Sequence, residues 1–161
     1  MFLIIGGSVR RTGRLLGVAV VFLGACLLTS GCGVFSGKTQ VDPAVLDEVR
    51  GIGKVLGEDT DEGDYGAGIE VTNLLVIDVG GVNGPDASRK ARDLLSDRKW
   101  VVVREVAPEG VEMRSNAWKG VYLDFQPLYS EERRTYPDGI SKAIKASTRP
   151  ETLLIVSLDQ T

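Results

Sequence analysis

Carboxylates, not imidazoles, set the chemistry open to this chain, which holds 22 Asp and Glu side chains and no histidine. A Ser-His-Asp or Cys-His nucleophile, an imidazole zinc ligand and a histidine pH switch are therefore excluded. Asp78 closes an apolar run and Asp124 lies in an alternating one, so these two could face each other for general acid/base work if the fold brings them together. A second group of acids lies in Gly57-Glu58-Asp59-Thr60-Asp61-Glu62-Gly63-Asp64-Tyr65-Gly66-Ala67-Gly68. With Asp59 at position one of a calcium loop, Asp61 falls at three and Glu70 at twelve, but Asp64 stands at six, where the turn demands glycine. Asp59, Asp61, Asp64 and Glu70 are thus only weak metal candidates, and no metal or other cofactor is expected.

Two glycine-bearing stretches imitate phosphate loops. Gly37-Lys38-Thr39 ends like a P-loop, but Cys32 occupies the place of its first glycine and no strand precedes it. Gly80-Gly81-Val82-Asn83-Gly84-Pro85 sits between a strand and a helix start, where backbone amides can receive an anion. Val79 replaces the first glycine of Gly-x-Gly-x-x-Gly, so a structural turn is the expectation. Trp100, Trp118, Tyr122, Tyr129 and Tyr136 bring an amphipathic aromatic set. Trp118, Lys119, Tyr122 and Tyr129, beside polar residues and turns, make the candidate binding surface for an envelope protein or glycan.

The N-terminus carries the most specific pattern: Arg10, Arg11 and Arg14, an uncharged run from Leu15 to Leu28, then Leu28-Thr29-Ser30-Gly31-Cys32. A basic segment, a short apolar core and small residues before a boundary read as an export signal. The ending resembles the lipobox of bacterial lipoproteins. That resemblance implies that Cys32 is diacylated and becomes the first mature residue, with residues 1–31 removed. Leu23-Gly24-Ala25-Cys26 fits the same pattern, but cleavage there would leave Leu27 and Leu28 at the mature terminus. An uncleaved signal anchor is the other alternative, and both place the arginines on the cytoplasmic side and the domain outside.

Loss of the three arginines leaves 16 basic against 22 acidic side chains, a net charge of −6. Such a surface repels polyanions, and nucleic acid is not an expected partner. The ~130 remaining residues suit one domain with a real core.

Residues 32–41 read as a tether. Asp42-Pro43 begins a helix, with Val45, Val49, Ile52 and Leu56 as its stripe and Gly51 and Gly53 weakening it, so loose packing is expected. The acidic glycine-rich stretch reads as an exposed loop, making 42–68 a separate helix-and-loop segment. The α+β domain then spans 69–161. Ile69 to Val79 is a strand apolar on both faces, Pro85-Asp86 opens a helix with Ala87, Ala91, Leu94 and Leu95 inward, and Trp100 to Val106 is a second strand. After the Ala107–Gly110 turn comes a run to Phe125 broken near Ser115-Asn116, then a helix from Pro137-Asp138 and a strand Leu153 to Leu158. The order β-α-β-β-α-β is that of a ferredoxin-like sandwich, with both helices on one face of an antiparallel sheet. Fold order alone carries no function. The pattern as a whole predicts a membrane-tethered, non-catalytic binding module, with a carboxylate enzyme using Asp78 or Asp124 as the alternative.

Overall fold

The computed structural model describes residues 38–64, 66, 68–128 and 135–161. Cys26, Cys32 and Tyr129 lie outside them. The described elements are β1 (Lys38–Thr39), α1 (Pro43–Arg50), β2 (Lys54–Asp64), β3 (Ile69–Asp78), α2 (Gly84–Asp97), β4 (Trp100–Val106), β5 (Gly110–Ser115), β6 (Val121–Pro127), α3 (Asp138–Ala146), a 3-10 turn (Pro150–Thr152) and β7 (Leu153–Gln160). Among the described residues no helix is long and apolar enough to cross a membrane.

The fold is mixed α+β around one seven-stranded sheet in the order β1-β3-β7-β6-β5-β4, with β2 on the other edge of β3. All pairings are antiparallel except the two-residue contact of β1 with Ile69 and Glu70. The strand order differs from the ferredoxin-like one. The run from Val111 to Phe125 folds back on itself at residues 116–120, so β5 and β6 are two strands. That extra reversal makes β6 antiparallel to β7, and β7, not the first domain strand, sits between β3 and β6.

The helices also divide between the faces. Val45, Val49, Ala87, Ala91 and Leu95 of α1 and α2 pack with Leu75, Ile77, Met113, Leu123, Phe125, Val156 and Leu158 in the main core. Ile140 and Ala143 of α3 pack with Val76, Leu153 and Ile155 on the opposite face. The unbroken apolar runs of β3 and β7 require this arrangement, because helices on one face alone would leave Val76, Leu153 and Ile155 in water.

Two expectations are corrected upstream of residue 69. The helix from Asp42 is not loosely packed: Val45 and Val49 are fully buried in the main core. Asp42 Oδ1 accepts the cap hydrogen bond from Ala44 N at 2.8 Å. The glycines that weaken the helical reading lie past its end, where Gly53 lets the backbone approach β3. A Cβ there would stand 2.5 Å from the Asp78 carbonyl oxygen. The stretch read as an exposed acidic loop forms most of β2, which pairs with β3 along its whole length. Its ladder is built from backbone groups that need no apolar side chain. Gly57 adds close packing on α3, since a Cβ at this position would meet the Ala143 Cβ at 2.5 Å.

Candidate functional site

The side chains with chemical potential gather on the face of β5, β6 and β7 opposite α2. Strand alternation buries Val121, Leu123 and Phe125 in the main core and turns Tyr122, Asp124 and Gln126 the other way. Register then lines up Ser157, Asp124, Glu112 and Arg104 across four strands, with Asp159, Tyr122, Arg114 and Val101 in the next row. α3 packs over β2 and β3 rather than over this half of the sheet. A shallow depression of about 220 Å³ lies here, lined by residues that include Arg104, Glu112, Tyr122, Asp124, Gln126 and Asp159.

Arg104 fixes Glu112 with Nε and Nη2 at 3.0 and 2.7 Å from the same carboxylate oxygen. Among the described residues no arginine pairs with Asp159 in this way. Burial, then the negative charges of Glu70 and Glu112, push its carboxyl above the usual aspartate range. Asp124 and Asp159 sit diagonally on neighbouring strands, a relation that places the residues about 7–8 Å apart. The carboxylates and arginines around Tyr122 are suited to exchanging hydrogen bonds with a polyhydroxylated or amide-bearing partner.

The raised carboxyl gives a pH prediction. The proton that folded Asp159 retains stabilises the fold below the ordinary range near 3.8, and this contribution is lost as pH rises through the raised value. Asp159→Asn is therefore expected to raise the melting temperature at neutral pH, with the advantage fading as pH falls through the raised value and gone below the ordinary aspartate range. A thermal melt series across pH reads this directly. A variant less stable than the parent at neutral pH would show that the ionised carboxylate has a stabilising partner.

The sequence-derived candidates separate. Asp78 and Asp124 do not converge: Asp78 pairs with Leu153 and Asp124 with Ser157, four residues or about 13 Å apart along β7, on strands to either side of it. Asp78 Oδ1 instead accepts from Gly80 N at 2.8 Å. Tyr122 faces the depression, whereas Trp118 packs on the opposite side against the main core. Its buried ring N–H has no hydrogen-bond partner among the described residues. Lys119 is exposed in the β5–β6 turn. Trp100 is a core residue, 2% exposed, and Tyr136 packs against the α3 cluster.

Asp59 Oδ2 accepts from Gly139 N at 3.0 Å and so ties β2 to α3, while Asp61, Asp64 and Glu70 are spread along the β2–β3 ladder. No cluster of three potential metal ligands occurs among the described residues. The glycine turn is closed by its own residues: Asp86 Oδ2 accepts from Val82 N at 3.0 Å, and Asn83 caps α2 through Asp86 N at 2.9 Å. The Val82 amide, then Arg89, hold the Asp86 carboxyl below its usual range.

Sequence reasoning missed Asp159 and Glu112, which join the face only through register, and it missed the exposure of β4. Val101, Val102, Val103 and Val106 are 37–52% exposed because β4 is an edge strand, interrupted by an irregularity between Val102 and Arg104. A larger depression of about 460 Å³ lies between α2 and the β4–β5 turn. Its arginines are already matched, Arg92 to Glu105 at 3.5 Å and Arg89 to Asp86.

The fold and this face define a small α+β domain presenting a polar, partly aromatic half-sheet. No family model matches the chain, and the searches of curated proteins and of solved structures found no match.

Proposed function

We propose that this protein is an extracytoplasmic lipoprotein whose domain, tethered to a membrane through Cys32, binds a protein or glycan of the cell envelope without catalysis. The observation that carries the binding half is the polar sheet face with Tyr122 at its centre, flanked by the apolar β4 edge. An aromatic ring among alternating acids and arginines suits recognition of a polar partner. The anchoring half rests on the lipobox-like Leu28-Thr29-Ser30-Gly31-Cys32.

The test has two arms. Cys32→Ser is expected to leave unprocessed protein without lipid label, while Cys26→Ser is processed normally; loss of label in the Cys26 variant alone would move the anchor. A photo-crosslinker at Arg114 on intact cells is expected to trap an envelope component, and Tyr122→Ala to abolish the product without changing the melting temperature. Equal trapping from Glu62, on the far edge of the sheet, would overturn the assignment of this face. A carboxylate enzyme is the second reading, favoured by the diagonal placement of Asp124 and Asp159 on neighbouring strands. It requires Asp124→Asn to abolish turnover of an envelope substrate while binding persists.

A further inference from the structure

β4 pairs with β5 alone, so its outer side offers a row of backbone N–H and C=O groups to any strand that can align with it. Folded proteins protect such edges with charge or proline. β2, at the far side of the sheet, follows that rule with Glu58, Asp59, Asp61, Glu62 and Asp64. β4 does not: Trp100-Val101-Val102-Val103 holds no charge and no proline, and its valines are β-branched residues that favour strand pairing. Four of the six exposed large apolar side chains among the described residues belong to this one strand, and Val103, at 52%, is the most open of the four.

The irregularity in the strand decides what fits. Val101 and Arg104 pair with Arg114 and Glu112 on the half-sheet face, while Trp100, Val102 and Glu105 pair with Ser115, Met113 and Val111 on the side of the main core. Val103 is the extra residue between them. It reverses the alternation, so Val101 and Arg104, three positions apart, point the same way. A second β4, antiparallel and related by a twofold axis normal to the sheet, keeps each face continuous. Val101 then falls opposite the partner's Arg104, Trp100 opposite the partner's Glu105, and Val102 opposite the partner's Val103 at the axis. In a strand without the extra residue, Val101 and Arg104 would point to opposite faces and this register would be forbidden. Val101, Val102 and Val103 of both copies form the centre, and the charges lie at its two ends. Those charges are matched within each copy, Arg104 to Glu112 at 2.7 Å and Glu105 to Arg92 at 3.5 Å, so pairing leaves no lone charge to be buried.

We propose that this protein pairs with a second copy of itself, β4 against β4, to give one sheet that runs through two domains. The interface is a single short strand, so the dimer belongs to the weak, small-area class of complexes and forms where copies are concentrated. Because the axis is normal to the sheet, Tyr122 of both copies lies on one side of the dimer. The contact uses the strand edge rather than the half-sheet face and is independent of the binding reading given to that face.

The experiment places a photo-crosslinker at Val103 of the full-length chain in intact cells that make two differently tagged copies. The expected product is a dimer that carries both tags, and the same crosslinker at Asp61, on the charged β2 edge, is expected to give none. Val101→Lys with Val102→Lys is expected to abolish the mixed-tag product and to leave the melting temperature unchanged, since both positions are exposed. Tyr122→Ala is expected to leave the product in place. A product that joins this chain only to a different protein would give the edge to a foreign strand and overturn the second copy as its occupant. No product from Val103, an equal yield from Asp61, survival of the product in the double lysine variant, or its loss in Tyr122→Ala would each overturn the proposal as well.

Discussion

A chain that begins at Gly66 is expected to lose cooperative folding, although it retains every element of the β-α-β-β-α-β pattern. Truncation removes Val45, Leu46, Val49 and Ile52 from the main core. At about 1.5–3 kcal/mol for each fully buried side chain, that loss rivals the whole stability of about 5–15 kcal/mol expected for a domain. It also strips β3 of the β2 partner that pairs with it from Ile69 to Asp78, leaving a long apolar strand as a bare edge. The measurement is thermal unfolding followed by near-ultraviolet circular dichroism. A sharp transition in the shortened chain would show that residues 69–161 are self-sufficient, as the sequence pattern suggests.

Trp100→Ala is expected to be the most damaging single substitution in the described core, at about 3–5 kcal/mol. Trp100 opens β4 and is 2% exposed, and its Nε1 donates to Glu48 Oε1 on α1 at 2.7 Å. The indole thus joins the edge of the sheet to the first helix, 52 residues away in sequence. Glu48→Gln should cost only about 1 kcal/mol, because the amide oxygen still accepts the bond. Trp100→Phe should fall between the two, keeping most of the buried area and losing the N–H. Chemical denaturation of the three variants separates packing from hydrogen bonding. A Trp100→Ala cost below that of Glu48→Gln would mean that the ring is not held in the core.

What the chain alone determines is local. Asp42-Pro43, Asn83-Gly84-Pro85 and Pro137-Asp138 mark the three α-helix starts among the described residues because capping and a preset proline φ act within a few residues. The β4–β5 turn and the two-sided apolar character of β3 and β7 are legible for the same reason, through turn chemistry and period-two alternation. The absence of histidine is equally decisive for chemistry.

Tertiary structure decides what depends on partners. Residues 57–64 look unfoldable by themselves, yet β3 supplies a complete backbone ladder for them. Val101 to Val103 look like core and are exposed, because only the sheet order reveals that β4 is an edge. Glu112, Asp124 and Asp159 share a face through register between strands, and a shift of one residue would send any of them to the opposite side. Asn73 differs from an ordinary buried asparagine only in having no described acceptor within reach. Register, edge position and hydrogen-bond satisfaction are pairwise properties of segments distant along the chain. They become definite when the strands pair and the helices close over them.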